Sequence, residues 1–346
     1  MTRRTWTLVL SFLLVALLGL AGGAVRVPYV ALGPGPTYDT LGSRDGQEIV
    51  RLDGEPEQET GGQLVMTTVS VADGITLFGA LGLWVSGRYA LAPREEYFPP
   101  EKTEDQVEKE NVRAFEQSQS SAEVAALRYL NQHHGRNYPM VVVVGEVVEG
   151  GPSGQVLEPG DRLVAVNGRH VSQADEVRAA LEATRPGDQI EVVVQRGQEP
   201  ERTERITLGR SEDREQGFLG IVPIDQPQVP FDIDIALDDV GGPSAGLIFA
   251  LAIVDKLTPG QLTGGMAVAG TGEIDTQGRV GPIGGVRFKM IAAKEAGAQV
   301  FLVPEGNCAE ARGEVPDGLR LVRVTTLEDA VRSLEALQHG GDVPSC

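Results

Sequence analysis

FDIDIALDDVGGPSAGLIFALAIVDKL (231–257) joins two different periodicities across one turn. Residues 231–237 alternate as a strand does, Gly241-Gly242-Pro243 force a tight turn, and Ser244 opens an apolar helix. A serine so placed holds its hydroxyl at the positive end of a helix, close to unpaired backbone N–H groups able to stabilise an oxyanion. The same residue also reads as an ordinary N-cap, for which serine is a preferred type. Gly150-Gly151-Pro152-Ser153 repeats the tetrapeptide upstream and acts as a control. Ser153 leads into a turn and a short strand with no helix behind it, so it reads as a loop residue and the tetrapeptide alone carries no chemistry.

A nucleophilic serine needs a base. His133 and His134 end a helix, His170 lies in a turn and His339 in the tail, so none belongs to the Ser244 region. A lysine serves instead if burial lowers its pKa toward neutrality. VGPIGGVRFKMIAAKEAGAQVFLVP (280–304) reads as a Gly-rich turn, a helix and a strand. At about 100° per residue, Arg287 and Lys294 share the solvent side, whereas Lys289 falls roughly 200° from Arg287 among Val286, Met290, Ala292, Ala293 and Ala296. A lysine in the middle of an apolar face is costly and points to function; a structural lysine that snorkels is the competing reading.

GGPSAG (241–246), TGEIDTQGRVGPIGGVRFK (271–289) and AGAQVFLVP (296–304) resemble the proteolytic domain of Lon proteases, over roughly residues 230–337. The resemblance implies Ser244 as nucleophile, Lys289 as general base, Thr271 as a supporting residue that helps position the lysine, and Gly242 and Pro243 as the turn beside the oxyanion site. It departs at Gly241, where ATP-dependent Lon proteases usually carry an aspartate three residues before the serine; Asp239 is the nearest substitute. Also in keeping with a Lon-type domain is the helix SQSSAEVAALRYL (118–130), which resembles one that precedes the nucleophile strand in that family.

Between that helix and the nucleophile strand the texture changes. VVVVGEVVEGGPSGQVLEPGDRLVAVNGRHV is a run of short strands and Gly/Pro turns, ADEVRAALEAT a helix, and DQIEVVVQRG a closing strand. These residues, LEPGDRLVAVNG (157–168) above all, resemble a bacterial PDZ domain, which implies capture of an extended peptide terminus as an added strand; a small β-rich spacer is the competing reading. An inserted PDZ makes the peptidase domain discontinuous, with residues 60–133 and 215–338 on either side.

Upstream, WTLVLSFLLVALLGLAGGAV (6–25) holds no charge and as a helix is long enough to cross the roughly 30 Å hydrocarbon core. Arg3 and Arg4 before it keep the N-terminus cytoplasmic and put everything beyond about residue 27 outside the membrane. A cleaved signal peptide is the alternative, with Gly22-Gly23-Ala24 as its small-residue site. VPYVALGPGPTYDTLG (27–42) is expected as an extended connector, GQLVMTTVS (62–70) as a strand, ITLFGALGLW (75–84) as a helix packed on it, and 118–135 as an amphipathic helix with serine caps.

Composition bounds the rest. The 346 residues carry 30 Lys+Arg against 49 Asp+Glu, a net charge of -19 that argues against nucleic-acid binding. Cys308 and Cys346 allow one disulfide in an oxidising compartment and no zinc-ligand cluster. No GxxxxGK[ST] loop occurs, so ATP-driven unfolding is not expected of this chain; nor is any cofactor or metal.

The expected architecture is α+β: a transmembrane anchor (1–27), a connector with the first part of the peptidase domain (28–134), a PDZ-like domain (135–210), a Lon-type peptidase domain (215–338) and a tail (339–346). Such a layout resembles the membrane-anchored, YlbL-like PDZ–Lon peptidases. It implies an ATP-independent serine endopeptidase acting on peptides or unfolded proteins outside the cytoplasmic membrane, assembled as a homo-oligomer. The alternative is a non-enzymatic, membrane-tethered PDZ scaffold or holdase.

Overall fold

The computed structural model describes residues 3–54, 58–211, 215–237 and 240–346. Its longer helices are α1 (Arg3–Ala24), α2 (Leu77–Val85), α3 (Glu104–His133), α4 (Ala174–Leu181), α5 (Gly246–Leu257), α6 (Val286–Glu295) and α7 (Leu327–Gln338). The strands of the two large sheets are β1 (Tyr29–Asp39), β2 (Gln63–Ala72), β3 (Ala90–Pro93), β4 (Met140–Val147), β5 (Arg162–Val166), β6 (Gln189–Gln195), β7 (Arg202–Thr207), β8 (Ile221–Pro227), β9 (Ala267–Gly270), β10 (Val300–Pro304) and β11 (Arg320–Val324). This is an α+β chain. It divides into two compact units, one made of residues 1–129 and 233–346, the other of 130–232.

The first unit is built on a mixed sheet in the order β11-β10-β9-β2-β1-β3. From β11 to β2 the neighbours are parallel, and β1 is antiparallel to both β2 and β3. Every residue of α5 is buried, as the apolar run Gly246–Val254 requires, and Asp255 and Lys256 at its end are buried with it. Each fully buried Leu, Ile or Phe there contributes about 1.5–3 kcal/mol, which fixes the element that follows Ser244. On α6 the face carrying Val286, Phe288, Lys289, Met290, Ala292 and Ala293 is buried, and Lys294 and Glu295 are exposed.

Three segments differ from the sequence expectation. Residues 27–42 are no free connector: β1 lies inside the sheet between β2 and β3, with Val30, Ala31 and Leu32 buried. Its Gly33–Pro36 turn signal is absorbed by an irregularity of register against β2 between Pro34 and Thr37, a place where proline's missing N–H is tolerated. The helix expected from 118 begins at Glu104. Thr103 and Gln106 cap it reciprocally, the Gln106 amide on the Thr103 hydroxyl at 3.2 Å and the Thr103 amide on the Gln106 side chain at 2.8 Å, a box that local charge disguised. Helix α2 forms where expected, capped by Thr76, but it buries only Ala80.

In the second unit the sheet runs β7-β6-β5-β4-β8, with α4 packed on β8 and β5. Val142, Val144, Leu163, Val166, Ile190 and Val192 centre its core. Strand β8 falls beyond the expected boundary at residue 210: it pairs antiparallel with β4 from Ile221↔Val147 to Pro227↔Met140. Ser153 is buried, and its hydroxyl donates to the Leu219 carbonyl. In the first unit Cys308 and Cys346 form a disulfide with Cα atoms 5.1 Å apart.

Candidate active site

Helix α5 starts at Gly246 with Ala245 as its N-cap, so Ser244 sits just before the first turn. Its backbone is held from two sides. The Ser244 carbonyl accepts the Gly272 amide at 2.9 Å and the Thr271 hydroxyl at 2.9 Å. Just upstream, the Ser118 hydroxyl of α3 donates to the Pro243 carbonyl at 2.9 Å, and the Gly242 amide donates to the Asn111 carbonyl at 2.9 Å. Gly242 has φ +89, a conformation that favours glycine.

Lys289 is 3% exposed. Its Nζ lies 2.8 Å from Ser244 Oγ and donates to the Thr67 carbonyl of β2 at 2.9 Å. Burial pushes its pKa down to about 8, because a low-dielectric surrounding disfavours the ammonium. Three elements thus meet at one point: α5 delivers the hydroxyl, α6 the amine, and β2 a carbonyl that orients it. Beside them opens a cavity of about 690 Å³ lined by Met66, Val69, Gly241, Ser244, Phe288 and Lys289 among others, room for several residues of an extended peptide.

Each site residue of the sequence reading has a definite place. Ser244 and Lys289 are in contact. Thr271 is buried beside them, but its hydroxyl bonds the Ser244 carbonyl, so it holds the serine's backbone and not the lysine. Gly242 and Pro243 shape the turn: the first has committed its N–H to Asn111 and the second has none. Among the described residues the amides of Ser244 and Ala245 hold no hydrogen bond, which leaves them for an incoming oxygen. Gly241 packs against α3 so closely that a Cβ there would meet Asn111 Cβ at 2.9 Å; an aspartate does not fit that position unless α3 gives way. Asp239 lies outside the described residues. Thr67 is the contact that sequence reasoning missed, since a backbone carbonyl leaves no mark in side-chain chemistry.

In the second unit β8 is an edge strand whose Val222 and Ile224 are exposed while the alternating Ile221 and Asp225 turn inward. Its buried Asp225 accepts the Ala174 amide at the start of α4 at 2.7 Å. Residues 221–223 of the segment GFLGIVP (217–223) thus open β8, and α4 packs on that strand.

Comparison with known proteins finds two domain types in the chain. Residues 237–336 match the Lon protease (S16) C-terminal proteolytic domain. Residues 109–206 match the PDZ domain. The Lon protease of Phenylobacterium zucineum is 30% identical over 160 residues, covering 44% of this chain and 20% of its own length. Lon protease 1 of Thermus thermophilus is 46% identical over 76 residues, 22% of this chain and 9% of its own length. The chain thus spans a fifth or less of these relatives. Among solved structures, the PDZ domain of an SdrC-like protein from Listeria monocytogenes matches at 20% identity and a TM-score of 0.22, over 24% of this chain and 86% of that one.

Proposed function

We propose that this chain, which carries a Lon-type proteolytic domain and a PDZ domain behind one N-terminal apolar helix, is a membrane-anchored serine endopeptidase that cleaves peptides or unfolded proteins without ATP. The observation that carries the reading is the contact of Lys289 Nζ with Ser244 Oγ at 2.8 Å, inside a cavity and with the amine's pKa held near 8. As the free amine, Lys289 takes the Ser244 hydroxyl proton while Oγ bonds to the scissile carbonyl carbon. The carbonyl oxygen becomes an oxyanion that the Ser244 and Ala245 amides receive. Collapse breaks the C–N bond, the Lys289 ammonium returns the proton to the leaving amine, and an ester to Ser244 remains. Water then attacks that ester, gives its proton to Lys289, and releases the acid as Ser244 recovers its hydrogen.

In this reading Thr271 is a positioning residue that fixes the Ser244 carbonyl, and Gly242 and Pro243 set the approach of the turn. The edge of β8 receives an extended terminus as an added strand. The apolar helix α1 (mean hydropathy 2.2) spans the bilayer with Arg3 and Arg4 cytoplasmic, so both units face the extracytoplasmic side. The Cys308–Cys346 disulfide supports that side, because such bonds persist in oxidising compartments. The peptidase domain is discontinuous in this reading, with the PDZ unit inserted between α3 and the nucleophile strand. Homo-oligomeric assembly belongs to the same proposal and is read by the mass of the detergent-solubilised chain in light scattering.

A peptidyl β-lactone tests the site directly. Acylation in the intact protein should map to Ser244 by mass spectrometry and fall at least tenfold in Lys289→Met. Equal labelling of the two proteins, or labelling elsewhere, contradicts the assignment.

A further inference from the structure

Helix α2 is apolar along its length, LFGALGLWV, yet it leaves its large side chains in the open. Leu77, Phe78, Leu81, Trp84 and Val85 are each at least half exposed, Trp84 at 61% and Val85 at 70%. At about 100° per residue these five fall within an arc of roughly 120°. They form one coherent stripe of the width that a surface helix normally turns toward a core. Ala80, about 40° beyond the Trp84 edge of the stripe, is the residue that packs inward. A contiguous exposed apolar stripe of this kind calls for an occupant.

The position of the stripe identifies that occupant. Apart from Gly22, α1 is unburied from end to end. Gly22 lies directly under the Phe78 ring, where a Cβ would come within 2.5 Å of it. The residues leaving α1 are stitched to the start of α2 by the backbone: the Val27 amide donates to the Ile75 carbonyl at 3.0 Å and the Leu77 amide to the Val25 carbonyl at 3.1 Å. Therefore α2 begins at the depth where α1 ends. The 22 residues of α1 span about 33 Å, close to the hydrocarbon thickness, so that depth is the bilayer surface. Arg26 and Arg88 flank the stripe, Arg88 paired with Glu295, and Trp84 lies within it, a side-chain type that settles at the membrane interface.

From these observations we infer that α2 is a second membrane contact, an interfacial helix that lays its Leu77–Val85 stripe into the outer leaflet and seats the peptidase unit on the bilayer. The inference rests on the reading of α1 as a membrane span. A consequence concerns the substrate. Thr67, which holds Lys289, is eight residues of β2 and its exit from Ile75, at most about 27 Å of extended chain. The dyad is thereby held close to the surface, and the substrates that reach it are chain segments leaving the membrane or resting against it.

Trp6 and Trp84 are the two tryptophans of the chain and report the two helices separately. Full-length protein carrying Trp6→Phe, reconstituted in phosphatidylcholine vesicles with or without brominated acyl chains, reads Trp84 alone; Trp84→Phe reads Trp6. In the expected result brominated chains reduce Trp84 emission by roughly half or more, as for an indole at the acyl boundary, and aqueous iodide has little access to it. Val85→Glu, at the most exposed position of the stripe, should weaken that lipid quenching while far-UV circular dichroism stays unchanged. Trp84 quenched by iodide and untouched by bromolipid, with Trp6 still lipid-quenched, overturns this inference and leaves the anchor in place. Trp84 shielded from both quenchers means that protein, such as a second copy, covers the stripe, and that also overturns it. Loss of lipid quenching at Trp6 removes the anchor itself.

Discussion

The pH dependence of cleavage follows from the burial of one amine. Moving the Lys289 pKa from 10.5 to about 8 corresponds to about 3 kcal/mol of disfavour for the ammonium, at ~1.36 kcal/mol per pH unit. The reactive free amine then makes up about 1% of the enzyme at pH 6, about 9% at pH 7, about half at pH 8 and about 90% at pH 9. The account expects kcat/KM to climb roughly 90-fold from pH 6 to pH 9 and then level off. A lysine at its ordinary value gives about 1000-fold over the same range and is still climbing at pH 10. Initial rates on a quenched-fluorescence peptide, taken at half-unit steps from pH 6 to 10 with the full-length protein in detergent, distinguish the two. A flat profile, or one that keeps unit slope past pH 9.5, refutes the assignment of Lys289 as the buried base.

The same amine shapes stability. Between about 8 and 10.5 the unfolded chain binds a proton that the folded chain does not, so stability rises with pH across that window and the full penalty is present below it. Lys289→Met removes the titration, and its stability relative to the parent should decline by about 3 kcal/mol from pH 7 to pH 10.5, read from urea midpoints of the peptidase unit. A constant difference contradicts this. Thr271→Val removes one of two donors to the Ser244 carbonyl and should cost about 1 kcal/mol of stability; kcat should fall several-fold with KM nearly unchanged, as steady-state kinetics will read. Gly241→Asp forces its Cβ against Asn111 and should lower activity at least tenfold, with partial recovery in the double variant Gly241→Asp/Asn111→Gly. Failure of Asn111→Gly to recover anything excludes steric pressure from α3 as the cause.

Helical arithmetic on 286–295 already placed Lys289 opposite Arg287, and a turn followed by an apolar run already placed Ser244 before a buried helix. Both rest on side-chain periodicity, which a sequence displays. The Thr67 carbonyl, the Asn111 carbonyl and the bonds from Thr271 and Gly272 to the Ser244 carbonyl were invisible, because they depend on which strand lies beside which helix. Local signals also misled where tertiary pairing overrode them. The GPGP run of residues 33–36 is a turn signal in isolation, yet pairing with β2 on either side of an irregularity keeps it within the sheet. Conversely the charged run from Glu104 is an exposed helical face that a Thr103–Gln106 box starts. GFLGIVP lost its meaning in the sequence because its partner, β4, lies some seventy residues earlier. Helix α2 was legible as a helix, but its apolar stripe implied a packed face and the structure leaves that face outward.

The central claim is that Ser244, activated by Lys289, cuts peptide bonds without help from ATP. Full-length protein in detergent, incubated with an unfolded protein in ATP-free buffer beside its Ser244→Ala and Lys289→Gln variants, tests this most directly, with products identified by mass spectrometry. The account expects new peptide termini with the parent and none above background with either variant. Cleavage that survives either substitution, or none from a folded parent across pH 7–9, contradicts it and favours a tethered binding protein.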